Sequence, residues 1–184
     1  LESNMFDMAE NYLKLATKLR GSDAIAHYNL GVAYLRQGKN DEALKELEEA
    51  ERLSPQDMGL MEQIGESFFS MKEYDRSLRA YNKILETNSR NVKILSRIGE
   101  IYYSKGDLER AYDAYRKVTQ LQPATENARI AYLNMGNILD DAQRYDEAVK
   151  AYESALAIRD NDDLTYYNLG IAYKHANQPA MAVN

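Results

Sequence analysis

The seven residues Tyr28-Asn29-Leu30-Gly31-Val32-Ala33-Tyr34 return almost unchanged as Tyr167-Asn168-Leu169-Gly170-Ile171-Ala172-Tyr173. Three weaker copies lie between them, centred on Gly65, Gly99 and Gly136, so successive glycines stand 34, 34, 37 and 34 residues apart. A period of that size marks a repeat array, in which each unit is a supersecondary element too small to bury its apolar face alone.

Outward from each glycine the apolar positions keep a fixed register. One residue before it stand Leu30, Ile64, Ile98, Met135 and Leu169, and three after it Tyr34, Phe68, Tyr102, Leu139 and Tyr173. With the glycine these form one helical stripe. Twelve after it come the small residues Ala43, Ser77, Ala111, Ala148 and Ala182. Sixteen after come Leu47, Tyr81, Tyr115 and Tyr152, and nineteen after come Ala50, Ile84, Val118 and Ala155. Each repeat therefore holds two amphipathic helices.

A glycine in mid-helix costs about 1 kcal/mol relative to alanine. Close approach of the second helix supplies the reason for it. The small residue lets the two backbones near each other, and Tyr81, Tyr115 and Tyr152 are expected to fill the space between successive units. Gly38 and Gly106, each seven after the repeat glycine, suit the end of a first helix. Pro55 and Pro123 fall where a second helix has ended. The one irregular spacing adds three residues around Pro123-Ala124-Thr125-Glu126-Asn127. It predicts an extra turn at the start of the fourth first helix and a local change of superhelical twist.

These Leu-Gly-x-x-Tyr runs, the later alanine, the aromatic four residues on and the two prolines resemble the tetratricopeptide repeat family over nearly the whole chain. The aromatic that the family often places four before the glycine is here His27, Met61, Leu95, Tyr132 and Tyr166, and no tryptophan occurs. The resemblance implies an all-α, right-handed superhelical solenoid of stacked helix-turn-helix repeats. One array is expected over residues 1–184: a lone second helix at 5–20, repeats at 23–56, 57–90, 91–124 and 125–161, and a partial repeat at 162–184. Ala9, Leu13 and Ala16 sit 34 residues before Ala43, Leu47 and Ala50, which identifies that lone helix. A further second helix is expected to begin at residues 178–184. Both ends fall inside repeats, so the chain reads as a piece of a longer array.

Composition narrows the function. With 23 basic and 29 acidic residues the net charge is −6, and neither half of the chain is basic. That argues against a surface that tracks nucleic-acid phosphates. The 15 tyrosines fall mostly on repeat core positions and have no basic track beside them, so packing explains them better than base stacking. There are no cysteines, which excludes disulfides and thiolate chemistry. No apolar run approaches the length of a membrane span. The compartment is left open, with the cytoplasm as a default.

No catalytic residue, cofactor site or metal site is expected. His27 and His175 lie at opposite ends of the array and match no metal-ligand spacing. His27 occupies a core-type position, and His175 suits the end of a helix as a cation. Asp140-Asp141 and Asp162-Asp163 read as helix-end and N-cap residues rather than an acid–base pair. No phosphate loop or nucleophile motif is present.

The resemblance places the first helices on a concave surface. Two residues before each glycine stand Asn29, Gln63, Arg97, Asn134 and Asn168. Such a column presents donors and acceptors to an extended peptide backbone. It is similar to the asparagine ladder in the repeats of O-GlcNAc transferase, with Gln63 a near match and Arg97 a departure. Tyr28, Phe69, Lys93, Tyr103 and Asn137 are expected to line the same groove, beside Val32 and Leu35. Lys93, Arg97 and Gln63 also match part of the family's clamp for a C-terminal carboxylate. The preceding repeat puts Tyr28 and Val32 where the clamp needs a lysine and an asparagine, and Glu62, Glu66 and Glu100 would repel a carboxylate. The groove suits instead an amphipathic helix or extended segment that carries some positive charge.

The expected function is a protein–protein interaction module, an adaptor or scaffold that grips a peptide or helical segment of a partner. One alternative is self-assembly into homo-oligomers through the lone first helix of the chain, whose apolar face is expected to show Phe6, Leu13 and Leu19 wherever packing on the next helix does not cover it. Another is the targeting arm of an enzyme.

Overall fold

The structure, a computed structural model, describes residues 2–176. Among the described residues there are ten helices and no strand. Helix α1 spans Glu2–Leu19, and five first helices follow: α2 Ala24–Arg36, α4 Met58–Ser70, α6 Val92–Ser104, α8 Glu126–Asp141 and α10 Asp163–His175. The second helices between them are α3 Asn40–Leu53, α5 Tyr74–Thr87, α7 Leu108–Leu121 and α9 Tyr145–Ile158. The fold is all-α, of the solenoid class. The expected second helix at 178–184, Ala182 with it, and the side chain of Phe6 lie outside the described residues. No described helix is long and apolar enough to cross a membrane.

The helices start where the backbone finds a cap. Asp23 accepts from the amides of Ile25 and Ala26, Asp57 from Leu60, and Asn91 from Ile94. These three caps stand eight residues before their glycines, and Thr125, which accepts from Ala128, stands eleven before. The three added residues sit wholly in that interval. Helix α8 is accordingly 16 residues long where α2, α4, α6 and α10 are 13, and the expected extra turn is there.

First helices end in one way. Gly38 and Gly106 have φ of 73° and 76°, and the same register holds Lys72 at 61° and Gln143 at 59°. In all four hairpins this left-handed residue donates to the carbonyl three back, and the next residue donates five back, for example Lys39 to Tyr34 and Glu73 to Phe68. That pair of bonds answers the carbonyls a helix end leaves open.

The chain divides into two compact units, residues 1–87 and 88–184. In the first, α1 packs on α2, α2 on α3, α4 packs on α5, and α4 also touches α2 and α3. In the second, α6, α7, α8, α9 and α10 pack each on the next, with α8 also against α6 and α10.

The glycine seam adds to one expectation. The tyrosine rings lie against the glycine of their own hairpin, and the Tyr115 hydroxyl also reaches Asn134 of the next repeat. A Cβ on Gly65 would stand 2.5 Å from Tyr81 Cε1, one on Gly99 2.8 Å from Tyr115 Cε1, and one on Gly136 would meet the Tyr152 ring as closely. In the first hairpin the place of the ring is taken by Leu47. The small residue has its own role: buried Ser77 donates to the Gly65 carbonyl at 2.8 Å. Leu13 packs against Leu30, Tyr34 and Ala43, so the next helices cover it, while Leu19 stays exposed.

Candidate peptide-binding surface

In the first unit Asn29 and Gln63 are exposed on α2 and α4, and Tyr28, Val32 and Leu35 are half-buried. Phe69 is half-buried and lies against Tyr74, ring centroids 6.0 Å apart. It lines the hairpin end as much as an open face. His27 is held inside the first hairpin, its Nδ1 2.6 Å from Glu46 Oε2.

The second unit gathers more. Lys93 is exposed on α6, and one turn on, Arg97 donates to Glu100 at 2.7 Å. Asn134 faces the hydroxyl of Tyr115, whose pKa burial and the nearby Glu100 push up. Asn137 Oδ1 accepts from both Tyr152 Oη, at 2.9 Å, and Asn168 Nδ2, at 3.0 Å. The amide column is therefore partly engaged inside the protein.

Tyr103 of α6 is 41% exposed and donates to Asp141 Oδ2 at 2.7 Å. That bond, with partial burial, raises the phenol pKa to about 12. Asp140 lies 3.2 Å from Nδ1 of His175, whose ring also packs tilted against Tyr145. Tyr103, Asn137, Asp140, Asp141, Tyr152, Asn168 and Ile171 enclose a cleft of about 280 Å³. Three of these, Tyr103, Asn137 and Asn168, are expected site residues brought together from three first helices.

Asp140 and Asp141 were legible only as helix-end residues. They end α8, as expected, but they also form the acidic wall of this cleft. Burial and these two carboxylates push the Tyr152 phenol pKa well up. The signal was available in the register: four and five residues after the glycine the other first helices carry Leu35-Arg36, Phe69-Ser70, Tyr103-Ser104 and Lys174-His175.

Asp162 has the structural part foreseen for it. It is the N-cap of α10, accepts from Thr165 Oγ1 at 2.8 Å and pairs with Arg129 of α8. The Thr165 bond and the guanidinium hold its carboxyl below the usual range. Arg129 is 7% exposed and also grips Glu126, so this pair pins the start of α10 to the first turn of α8. Among the described residues no group of three His, Asp or Glu is placed to hold a metal ion.

Two sequence profiles described as tetratricopeptide repeat match the chain, one over residues 90–161 and one over residues 1–57. No curated protein matches it in sequence. Among solved structures it is similar to the MamA protein, with a TM-score of 0.74 and 18% identity over 89% of this chain and 87% of that one. PilF of Pseudomonas aeruginosa superposes with a TM-score of 0.66 and 21% identity, covering 88% of this chain and 73% of that one. BtubC of P. vanneervenii gives 0.70 and 19%, covering 98% and 86%. At such identities the likeness is one of fold.

Proposed function

This chain belongs to the tetratricopeptide repeat family, and from that premise we propose that it binds a linear segment of a partner protein along its first helices. The family is one of protein-interaction repeats, and this chain is an interaction module. The observation that carries the finer reading is the cleft of the second unit. There Tyr103, Asn137 and Asn168 come from three different first helices to one opening. Amide donors and acceptors beside an exposed aromatic ring match what an extended backbone offers. Within the first unit, taken by itself, Asn29 and Gln63 are exposed on α2 and α4 and offer amides of the same kind.

The test is affinity capture from a matched lysate by the wild-type chain and by Asn134→Ala/Asn168→Ala, read by mass spectrometry. Circular dichroism checks that both are equally helical. Partners retained by the wild type and lost by the variant are expected; identical partner sets would remove the first helices from the binding surface.

A second reading, self-assembly through α1, rests on a separate observation. Met8, Tyr12, Leu15 and Leu19 are 51%, 69%, 51% and 74% exposed and recur on one face of α1. In the same register α3 carries Glu42, Glu46, Glu49 and Leu53. An apolar stripe where the next second helix is acidic is a surface to be covered. Light scattering at rising concentration on the wild type and on Tyr12→Glu/Leu15→Glu tests it: a wild-type chain that stays monomeric throughout ends this reading.

A further inference from the structure

We propose that the cleft at the end of α8 receives the cationic side chain of an arginine or lysine in the bound segment; this rests on the peptide-binding reading above. Asp140 and Asp141 are the last two residues of α8, the end where the helix's own carbonyls make the potential negative. A helix gains by placing cations there, as α2 does with Arg36 and α10 with Lys174 and His175. Two adjacent carboxylates at that end work against the fold. Among the described residues no lysine or arginine pairs with either. Asp141 is met by a neutral phenol, and Asp140 by His175 Nδ1 at 3.2 Å.

The rest of the cleft fits the stem of a basic side chain. The exposed Tyr103 ring, fixed at its hydroxyl by Asp141, offers a face to a methylene chain or a planar guanidinium. Ile171 adds an apolar contact, and the Asn137–Asn168 pair lines the same opening. Charge, flat ring and amides converge within one opening of about 280 Å³. Lysine fits through its charge and its stem, while arginine adds a bidentate bond to a carboxylate and stacking on the ring.

The experiment is selection from a random nonapeptide library on the 184-residue chain and on Asp140→Asn/Asp141→Asn, followed by fluorescence anisotropy on the winners. Asparagine keeps the shape and still accepts from Tyr103, so the variant removes charge alone. Arginine or lysine is expected to concentrate at one library position on the wild type and to lose that preference on the variant. A selected arginine peptide is expected to weaken about tenfold or more when citrulline replaces the arginine, and by a similar factor on the variant. Selected peptides without a basic position, lost on Asn134→Ala/Asn168→Ala yet indifferent to the aspartate changes, overturn the cation site and leave the groove reading standing. Failure to select any peptide overturns both.

Discussion

The inside of each repeat and the end of its first helix obey different rules. Inside, three hairpins repeat one solution: Gly65 under Tyr81, Gly99 under Tyr115, Gly136 under Tyr152. At the helix ends the turn recurs but the last two side chains vary, from Leu35-Arg36 to Asp140-Asp141 to Lys174-His175. The interior must bury apolar surface against the same neighbour each time, so its residues are interchangeable between repeats. The ends face solvent and whatever binds there, and each is free to differ. A position that departs from its register while costing stability is therefore where function should be sought.

The largest effect should come from breaking the seam. Gly136→Ala drives a methyl into the buried Tyr152 ring, which has no room to turn. Overpacking of this kind costs typically 1–3 kcal/mol, against about 1 kcal/mol that alanine returns in helix propensity, so a net loss of about 1–2 kcal/mol is expected. Gly31→Ala meets Leu47 Cγ at 2.9 Å and the Ala43 carbonyl at 3.3 Å, a looser fit than a rigid ring at 2.4–2.8 Å, and should cost less than Gly136→Ala. Adding Tyr152→Leu to Gly136→Ala should recover part of the loss. Urea unfolding of the three variants ranks them; equal losses at Gly31 and Gly136 would show that the ring is not the obstacle.

Next in size is the junction of α1 with the first hairpin. Glu10 is 8% exposed and accepts from Lys14 and from Lys39 at 2.7 Å, while both lysines reach over the Tyr34 ring. The two lysine bonds, Lys14's the larger, lower the Glu10 carboxyl from an ordinary 4.5 to about 2. A depressed carboxyl stabilises fully above its unfolded value and loses that contribution as pH falls from about 4.5 through 2. Glu10→Gln should raise hydrogen exchange of α1 about tenfold at neutral pH, after correction for intrinsic rates, and leave α8 unchanged. In the wild type the same loosening of α1 should set in only on acidification into that window. Equal protection of α1 in both proteins would mean the lysines hold nothing.

How far the sequence carried these features follows from where their partners lie. The glycine period is read by direct repetition, and the left-handed Gly38 and Gly106 and the added turn of α8 are set by residues close in sequence, so all were legible. The contact of the ring with its own glycine was not legible, because a spacing of sixteen fixes which residue is large, not which neighbour it meets. Lys72 and Gln143 were missed as left-handed residues, since neither type announces a positive φ. Asn137 and Asn168 are 31 residues apart and Tyr103 and Asp141 are 38 apart, so their hydrogen bonds exist only once the first helices pack. The register did hold one unused clue, the acidic pair on α8 where other repeats are apolar or basic.

That pair gives a smaller effect of opposite sign to the seam. Asp140→Asn/Asp141→Asn removes two charges from the unfavourable end of α8 and should stabilise by about 0.5–1 kcal/mol at low salt, less as salt screens the field. Lys174→Asp, at the equivalent place on α10, should destabilise by a similar amount. Thermal melts at low and high salt read both. If neutralising the aspartates weakened the fold, their role would be structural and the contrast between interior and helix end would fail at its most telling point.

The smallest effect isolates backbone geometry. Lys72 and Gln143 hold φ near 60° where Gly38 and Gly106 hold it without a side chain, and no heavy atom lies within 4 Å of a Cβ built on either glycine. Packing thus drops out of the comparison. A left-handed L-residue costs roughly 1–2 kcal/mol, and glycine gives back about 0.5–1 kcal/mol of that through its freer unfolded chain. Lys72→Gly and Gln143→Gly should each stabilise by about 0.5 kcal/mol, and Gly106→Lys should destabilise by about the same. Hydrogen exchange at the amides of Glu73 and Arg144, which close these ends onto Phe68 and Leu139, reads the change locally. Opposite signs for the two directions of exchange are required, because the four hairpins share one turn and differ there in nothing but the side chain it must strain to carry.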